Sequence, residues 1–216
     1  MKIAVLGTGM VGEAIGSKLV ETGHQVMMGS RSATNEKALK WVEKAGKNSS
    51  NGTFKEAAAF GEIIFNCTSG GASIQALKLA GAENMKEKIL IDLANPLDAS
   101  KGMPPALIPE LSNTNSLGEE IQKTFPDVKV VKTLNTMNCY LMVDATKVAG
   151  EHDVFICGND AAAKEKVKEI LKSFGWKSPV DLGDISSSRG TEMILPLWLR
   201  LWGTFKSPMF NFKIVK

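Results

Sequence analysis

The chain is poor in the groups that most often carry catalysis or hold a metal. Among 216 residues there are two histidines, three cysteines and one tyrosine. Cys67, Cys139 and Cys157 have no metal or redox spacing, and an odd count fits a reducing cytoplasm. Cys67 and Cys157 sit at apolar strand ends and read as small buried hydrophobes. There is no basic run, and a net charge of +3 is too small to argue for nucleic acid or a membrane surface as partner. The longest apolar stretch, Met193–Phe205, is too short to span a bilayer and contains Arg200. The first residues read as a strand, so no secretion signal is expected. With 44% apolar and 23% charged residues, the composition is that of one globular domain with at most a small extension.

What is present begins at once. Lys2–Leu6 reads as a buried strand, and Gly7-Thr8-Gly9-Met10-Val11-Gly12 follows it as G-x-G-x-x-G. Val11, Ala14, Ile15 and Leu19 then repeat at helical spacing. A strand, a glycine-rich turn and a helix in that order form the phosphate cradle of a dinucleotide fold. Gly7 permits the turn, Gly9 lets the backbone approach a pyrophosphate, and Gly12 lets helix and strand pack closely. The helix N-terminus offers free N–H groups and partial positive charge to the anion.

The second strand, His24–Gly29, indicates which dinucleotide. An NAD enzyme normally ends this strand in a carboxylate that accepts from the adenosine ribose 2′-hydroxyl. Here it ends in Gly29-Ser30-Arg31-Ser32. Ser30 and Ser32 can donate to a 2′-phosphate, Arg31 can pair with its charge or stack on adenine, and Lys37 adds a second cation. The bland alternative makes Arg31 a solvated surface charge. The expected cofactor is NADP(H).

Further strands are expected around Ser50–Thr53 and at Glu62–Asn66, Lys88–Asp92, Val128–Lys132, Asp153–Cys157 and Trp176–Val180. Helices alternate with them at Asn35–Ala45, Phe54–Phe60, Ala72–Ala80, from Leu117 to about Phe125, from Asp160 to about Ser173 and from about Ser187 to Thr204. Residues 97–115 read as a surface loop. The pattern implies an α/β NAD(P)-binding Rossmann fold, a doubly wound, mostly parallel sheet, over residues 1–180. Residues 181–216 form a small C-terminal extension, a helix and an alternating tail, Phe210–Val215. Ligands of such sheets lie beyond the carboxyl ends of the strands. The site therefore takes in Cys67, Thr68 and Ser69, then Ala94, Asn95 and Pro96, then Asn135, Thr136, Met137, Asn138 and Cys139. None of these segments supplies a His, Lys, Tyr, Asp or Glu placed as a proton donor, which carbonyl reduction normally needs. Asp92, ending a buried strand, reads as a partner for backbone donors. Hydride transfer to a flavin-like ring needs no such donor.

The segments GTGMVGEAIGSKLVETGHQVMMGSRS, IDLANPL, VVKTLNTMNC, DVFICGND and EMILPLWLRLW together resemble the coenzyme F-420-dependent NADP oxidoreductases. The resemblance covers essentially the whole chain and implies hydride exchange between NADP(H) and a 5-deazaflavin. It carries NADP contacts to Thr8, Gly9, Met10, Val11, Ser30, Arg31 and Lys37. It implies that the two rings meet near Asn135–Cys139, with Leu195, Pro196 and Leu197 lining the acceptor side. The cytosolic domain of the six-transmembrane metalloreductases is similar too. The acceptor is expected to be coenzyme F-420 or a flavin, FMN or FAD. The alternatives are an imine or carbonyl reductase and a redox-sensing NADPH-binding protein. The run Trp198, Leu199, Leu201, Trp202, Phe205 suits either an acceptor pocket or a homodimer interface.

Overall fold

The computed structural model describes residues 1–100 and 102–216. Eight strands make one sheet in the order β3-β2-β1-β4-β5-β8-β9-β10. These are β1 (Lys2–Leu6), β2 (Gln25–Ser30), β3 (Ser49–Thr53), β4 (Ile63–Asn66), β5 (Ile89–Asp92), β8 (Lys129–Thr133), β9 (Phe155–Gly158) and β10 (Val180–Asp181). The first six are parallel throughout. β9 pairs antiparallel with β8, and β10 runs with β9. Strand residues alternate between two cores: Ile3 and Val5 lie in one, Ala4 and Leu6 in the other. A strand buried on both faces reads as a continuous apolar run, which is why KIAVL was legible.

Helices α1 (Met10–Glu21), α2 (Glu36–Ala45), α3 (Phe54–Phe60), α4 (Gly70–Ala80) and the one-turn α5 (Ala82–Met85) connect the first strands. Their starts are written in local chemistry. Asn35 accepts from the Ala38 N–H, and Thr53 and Glu56 form a reciprocal capping box. α4 begins two residues earlier than expected, at Gly70, where a β-carbon would overlap the Asn95–Pro96 backbone. Beyond β5 the expected surface loop holds a small antiparallel hairpin, β6 (Leu97–Asp98) with β7 (Ala106–Leu107), and a 3-10 turn at Pro109–Leu111. Two-residue strands leave too little alternation to be read from sequence.

α6 (Leu117–Thr124), the one-turn α7 (Cys139–Met142) and α8 (Ala161–Ser173) follow. The last helix is two: α9 (Ser188–Met193) and α10 (Leu195–Phe205), parted at Ile194. Pro196, in the first turn of α10, lacks the N–H that a continuous helix would use. Of the strand expected at Trp176–Val180 only Val180 joins the sheet, in β10; Trp176 lies outside it with its indole buried, Nε1 donating to the Met142 carbonyl at 2.9 Å. The tail Phe210–Val215 forms no strand, but it is tied to its own domain. Asp153 N donates to Phe212 O at 2.9 Å, and Ile214 N to Asp153 Oδ2 at 2.6 Å.

Candidate cofactor and acceptor site

The turn after β1 is shaped by three glycines with three different surroundings. Gly7 has φ +120°, and a β-carbon there would lie 2.6 Å from the Cys67 carbonyl oxygen. A β-carbon on Gly12 would overlap the Gly7 carbonyl. At Gly9, by contrast, a β-carbon would meet nothing within 4 Å. Gly9 is exposed and caps α1 without a side-chain hydrogen bond. The first N–H groups of α1 therefore face an open space that an anion can fill, and the cradle fits a dinucleotide pyrophosphate.

The end of β2 carries no carboxylate. Ser30 is buried, and its hydroxyl donates to Ser32 O at 2.6 Å while accepting from Ser32 N. Ser30 thus shapes the loop instead of presenting a free donor to a phosphate. The turn it makes leaves Arg31 and Ser32 exposed, with Ser32 Oγ 2.8 Å from Thr34 Oγ1. Asn51 steadies the loop by donating to Ala33 O at 2.6 Å, and Lys37 is exposed in the first turn of α2. Charge and hydroxyl are presented together, as recognition of a 2′-phosphate requires.

The loops following β4, β5 and β8 are held by a continuous buried network. Asn66, ending β4, donates to Asp92 Oδ1 at 2.8 Å and accepts from Thr68 Oγ1 at 2.6 Å. Asp92, ending β5, also accepts from Ala94 N and from Lys132 Nζ at 2.7 Å. Lys132 in β8 is fully buried; its ammonium bonds Asp92, Glu192 of α9 at 2.7 Å and the Ala94 carbonyl. Glu192 accepts in addition from the Leu117 and Gly118 N–H groups opening α6, at 2.8 and 3.0 Å. Burial alone would lower the Lys132 pKa, but its two carboxylate partners more than reverse this and hold the ammonium charged. Burial raises the Glu192 carboxyl above the ordinary range, because one ammonium shared by two buried carboxylates offsets its desolvation only in part.

The chain leaves β8 through Leu134 in the left-handed region, φ +62°, an uncommon conformation for a branched residue. Asn135 follows, donating to Asn95 Oδ1 at 2.9 Å and to Thr191 O at 3.0 Å, while Asn95 donates back to Asn135 O at 2.8 Å. Asn95 and Asn135 thus bond each other across the ends of β5 and β8, while Thr68 bonds Asn66, which in turn holds Asp92. Asn135, Thr136, Met137 and Cys139 turn their side chains inward, and Asn138 is half-buried, capping α7 through Tyr140 N. On the C-terminal arm Leu195 and Trp198 are buried, while Pro196 and Leu197 are exposed. An apolar cleft of about 690 Å³ lies between Met103–Pro104 and the Leu199, Arg200 and Trp202 side of α10. Sequence reasoning missed Lys132 and Glu192. A lysine inside VVKT looks like a surface position until its partner, sixty residues on, is known.

Fold and site define the class: an NADP-dependent oxidoreductase built on a Rossmann sheet. A sequence profile described as NADP oxidoreductase, coenzyme F420-dependent, matches residues 2–96. Over all of both chains the structure is similar, with 51% identity and a TM-score of 0.94, to a provisionally assigned F420-dependent NADP-reductase from Arthrobacter sp. FB24. The F420-dependent NADP reductase of Methanocaldococcus jannaschii is 27% identical over 219 residues, 96% of this chain and 95% of that protein. The metalloreductase STEAP3 of Rattus norvegicus is 28% identical over 202 residues, 91% of this chain; the chain spans only 38% of that relative's length. The chain belongs to the coenzyme F-420-dependent NADP oxidoreductase family.

Proposed function

We propose that the protein exchanges a hydride between NADPH and a flavin-like acceptor, a deazaflavin such as coenzyme F-420 or a flavin. Thr8–Val11 and the N-terminus of α1 would hold the pyrophosphate, and Arg31, Ser32 and Lys37 the 2′-phosphate. When bound, the nicotinamide supplies the hydride. The backbone at Asn95 and Asn135–Asn138 borders the space where it would lie, and the start of α10 at Leu195–Leu197 offers the acceptor side.

One observation carries this reading. Asp92, Lys132 and Glu192, which tie the loops after β5 and β8 to α9, are bonded through the Lys132 ammonium and at least 99% buried. None of the three is placed to protonate an alkoxide or amine, so the site suits an acceptor ring that takes the hydride from the nicotinamide and its proton from water. The F420-dependent reductases among the relatives support the same acceptor class. The test is NADPH oxidation followed at its nicotinamide absorbance against coenzyme F-420, FMN, FAD, a ferric chelate and a cyclic imine. Turnover with a deazaflavin or flavin is expected. Turnover with the imine alone would replace this reading with an imine reductase.

A further inference from the structure

Two consecutive residues of α9 are bonded to the cofactor-side loops by two separate routes. Glu192 binds Lys132, whose ammonium also holds Asp92 and the Ala94 carbonyl. The Thr191 carbonyl accepts from Asn135, whose amide also donates to Asn95. Each route therefore runs from the loop after β5, through a residue of β8 or the turn leaving it, to α9. The first route is a fully desolvated charge pair, and Asn135 and Thr191 in the second are each at least 94% buried. A shift of Ala94–Asn95 or Asn135 must move α9 with it or break buried hydrogen bonds on one of the two routes. Such a junction has few intermediate positions.

α9 has a third attachment that bypasses these loops. Ser188 Oγ lies 2.6 Å from Ser116 Oγ, and Arg189 makes a two-pronged ion pair with Glu119. Glu192 adds to this docking, accepting from the Leu117 and Gly118 N–H groups at the start of α6. The routes through Lys132 and Asn135 are separate from these contacts with α6, and they end on the two loops that border the proposed nicotinamide position.

We propose that Lys132, Asn135 and Glu192 are positioning residues that couple the cofactor-side loops to the arm α9–α10, so that seating of NADPH sets the arm for the acceptor. The proposal rests on the reading that NADPH lies against these loops and the acceptor against the arm. It assigns Glu192 no contact with either ligand.

The test is hydrogen exchange over residues 188–205 of the intact protein, with and without saturating NADPH. In the wild type NADPH should slow exchange in the arm on the order of fivefold or more. Glu192→Gln should still bind NADPH, with any loss of affinity no larger than the coupling itself, yet lose the NADPH-dependent slowing. Arg189→Ala should raise exchange in the arm with and without NADPH but keep the difference between them, which a merely structural role for Glu192 would not predict. Asn135→Ser severs the second route without stranding a buried charge and reports the coupling should Glu192→Gln fold poorly. With an acceptor present, Glu192→Gln should raise the acceptor KM more than the NADPH KM. Retention of the NADPH-dependent slowing in both Glu192→Gln and Asn135→Ser overturns the coupling, as does its absence from the wild type. Failure of every flavin and deazaflavin to accept hydride would remove the proposed acceptor while leaving the exchange result to stand or fall by itself.

Discussion

Gly9 and Gly12, three residues apart in one motif, should fail in opposite ways when each is replaced by alanine. A methyl group on Gly12 would sit 2.9 Å from the Gly7 carbonyl carbon and nearer still to its oxygen. Alanine is worth about 1 kcal/mol more than glycine within a helix, but overpacking against fixed backbone costs about 1–3 kcal/mol and occasionally more. Because neither backbone segment is free to recede, the upper end applies, and Gly12→Ala should lose about 2 kcal/mol. For a chain of this length that lowers Tm by roughly 4–8 °C. Gly9 has φ −82° and ψ −176°, open to any residue, and nothing within reach of a β-carbon. The lost preference for glycine at the cap and the stiffer unfolded chain nearly cancel, so Gly9→Ala should keep its stability within about 1 kcal/mol. The added methyl occupies the space through which the pyrophosphate approaches, and NADPH affinity should fall at least tenfold, about 1.4 kcal/mol. Thermal unfolding by circular dichroism and NADPH titration by fluorescence read the two effects separately. A Gly9→Ala protein that binds NADPH like the wild type would refute the placement of the cofactor.

Arg31→Ala should weaken NADPH by about 1.5–3 kcal/mol, the range for a charge-assisted hydrogen bond, and leave NADH unchanged in calorimetry. Lys132→Met strands two buried carboxylates and should cost about 3–5 kcal/mol in urea unfolding, with D92N/K132M/E192Q recovering most of the loss. Burial raises the Glu119 carboxyl, but hydrogen bonds from Arg189 and Ser116 outweigh it and hold the group below its ordinary 4.5. Its contribution is therefore present above pH 4.5 and lost as pH falls through the depressed value, and Arg189→Ala should flatten that acid limb. Glu192 has the opposite sign: its carboxyl is raised, so its contribution is lost as pH rises from 4.5 through the raised value. Glu192→Gln should remove that decline. Cys67, Cys139 and Cys157 are buried and burial raises all three thiols, Cys157 to about 12, so native protein should resist alkylation at pH 8 and react once unfolded.

The glycine motif, the acid-free end of β2 and the alternating elements were legible because each is written in consecutive residues. The caps at Asn35, Thr53 and Ser116 belong to the same kind of signal. What escaped depends on distant partners. Lys132 is a core residue only because Asp92 and Glu192 lie beside it, and no local pattern announces that. The reversal of β9 follows from where the chain re-enters the sheet, which an apolar run of DVFIC cannot encode. Ser30 looked like a free hydroxyl, and a two-residue turn consumed it. The aromatic tail alternates as a strand would, yet Phe210 stacks on Trp198 with centroids 5.3 Å apart, and packing on α10 replaced a ladder.

The buried cluster also orders events in time. Lys132 and Asp92 are separated by forty residues and can pair as soon as β5 and β8 associate. Glu192 is synthesised sixty residues after Lys132. Until α9 arrives, the ammonium has only one carboxylate, and the N–H groups opening α6 lack the acceptor that Glu192 provides. A chain whose sheet is complete but whose arm is not yet made therefore lacks these bonds. The residue that closes this cluster is carried by the segment proposed to face the acceptor, so the last stretch to be synthesised supplies both the cluster's second carboxylate and the proposed acceptor side.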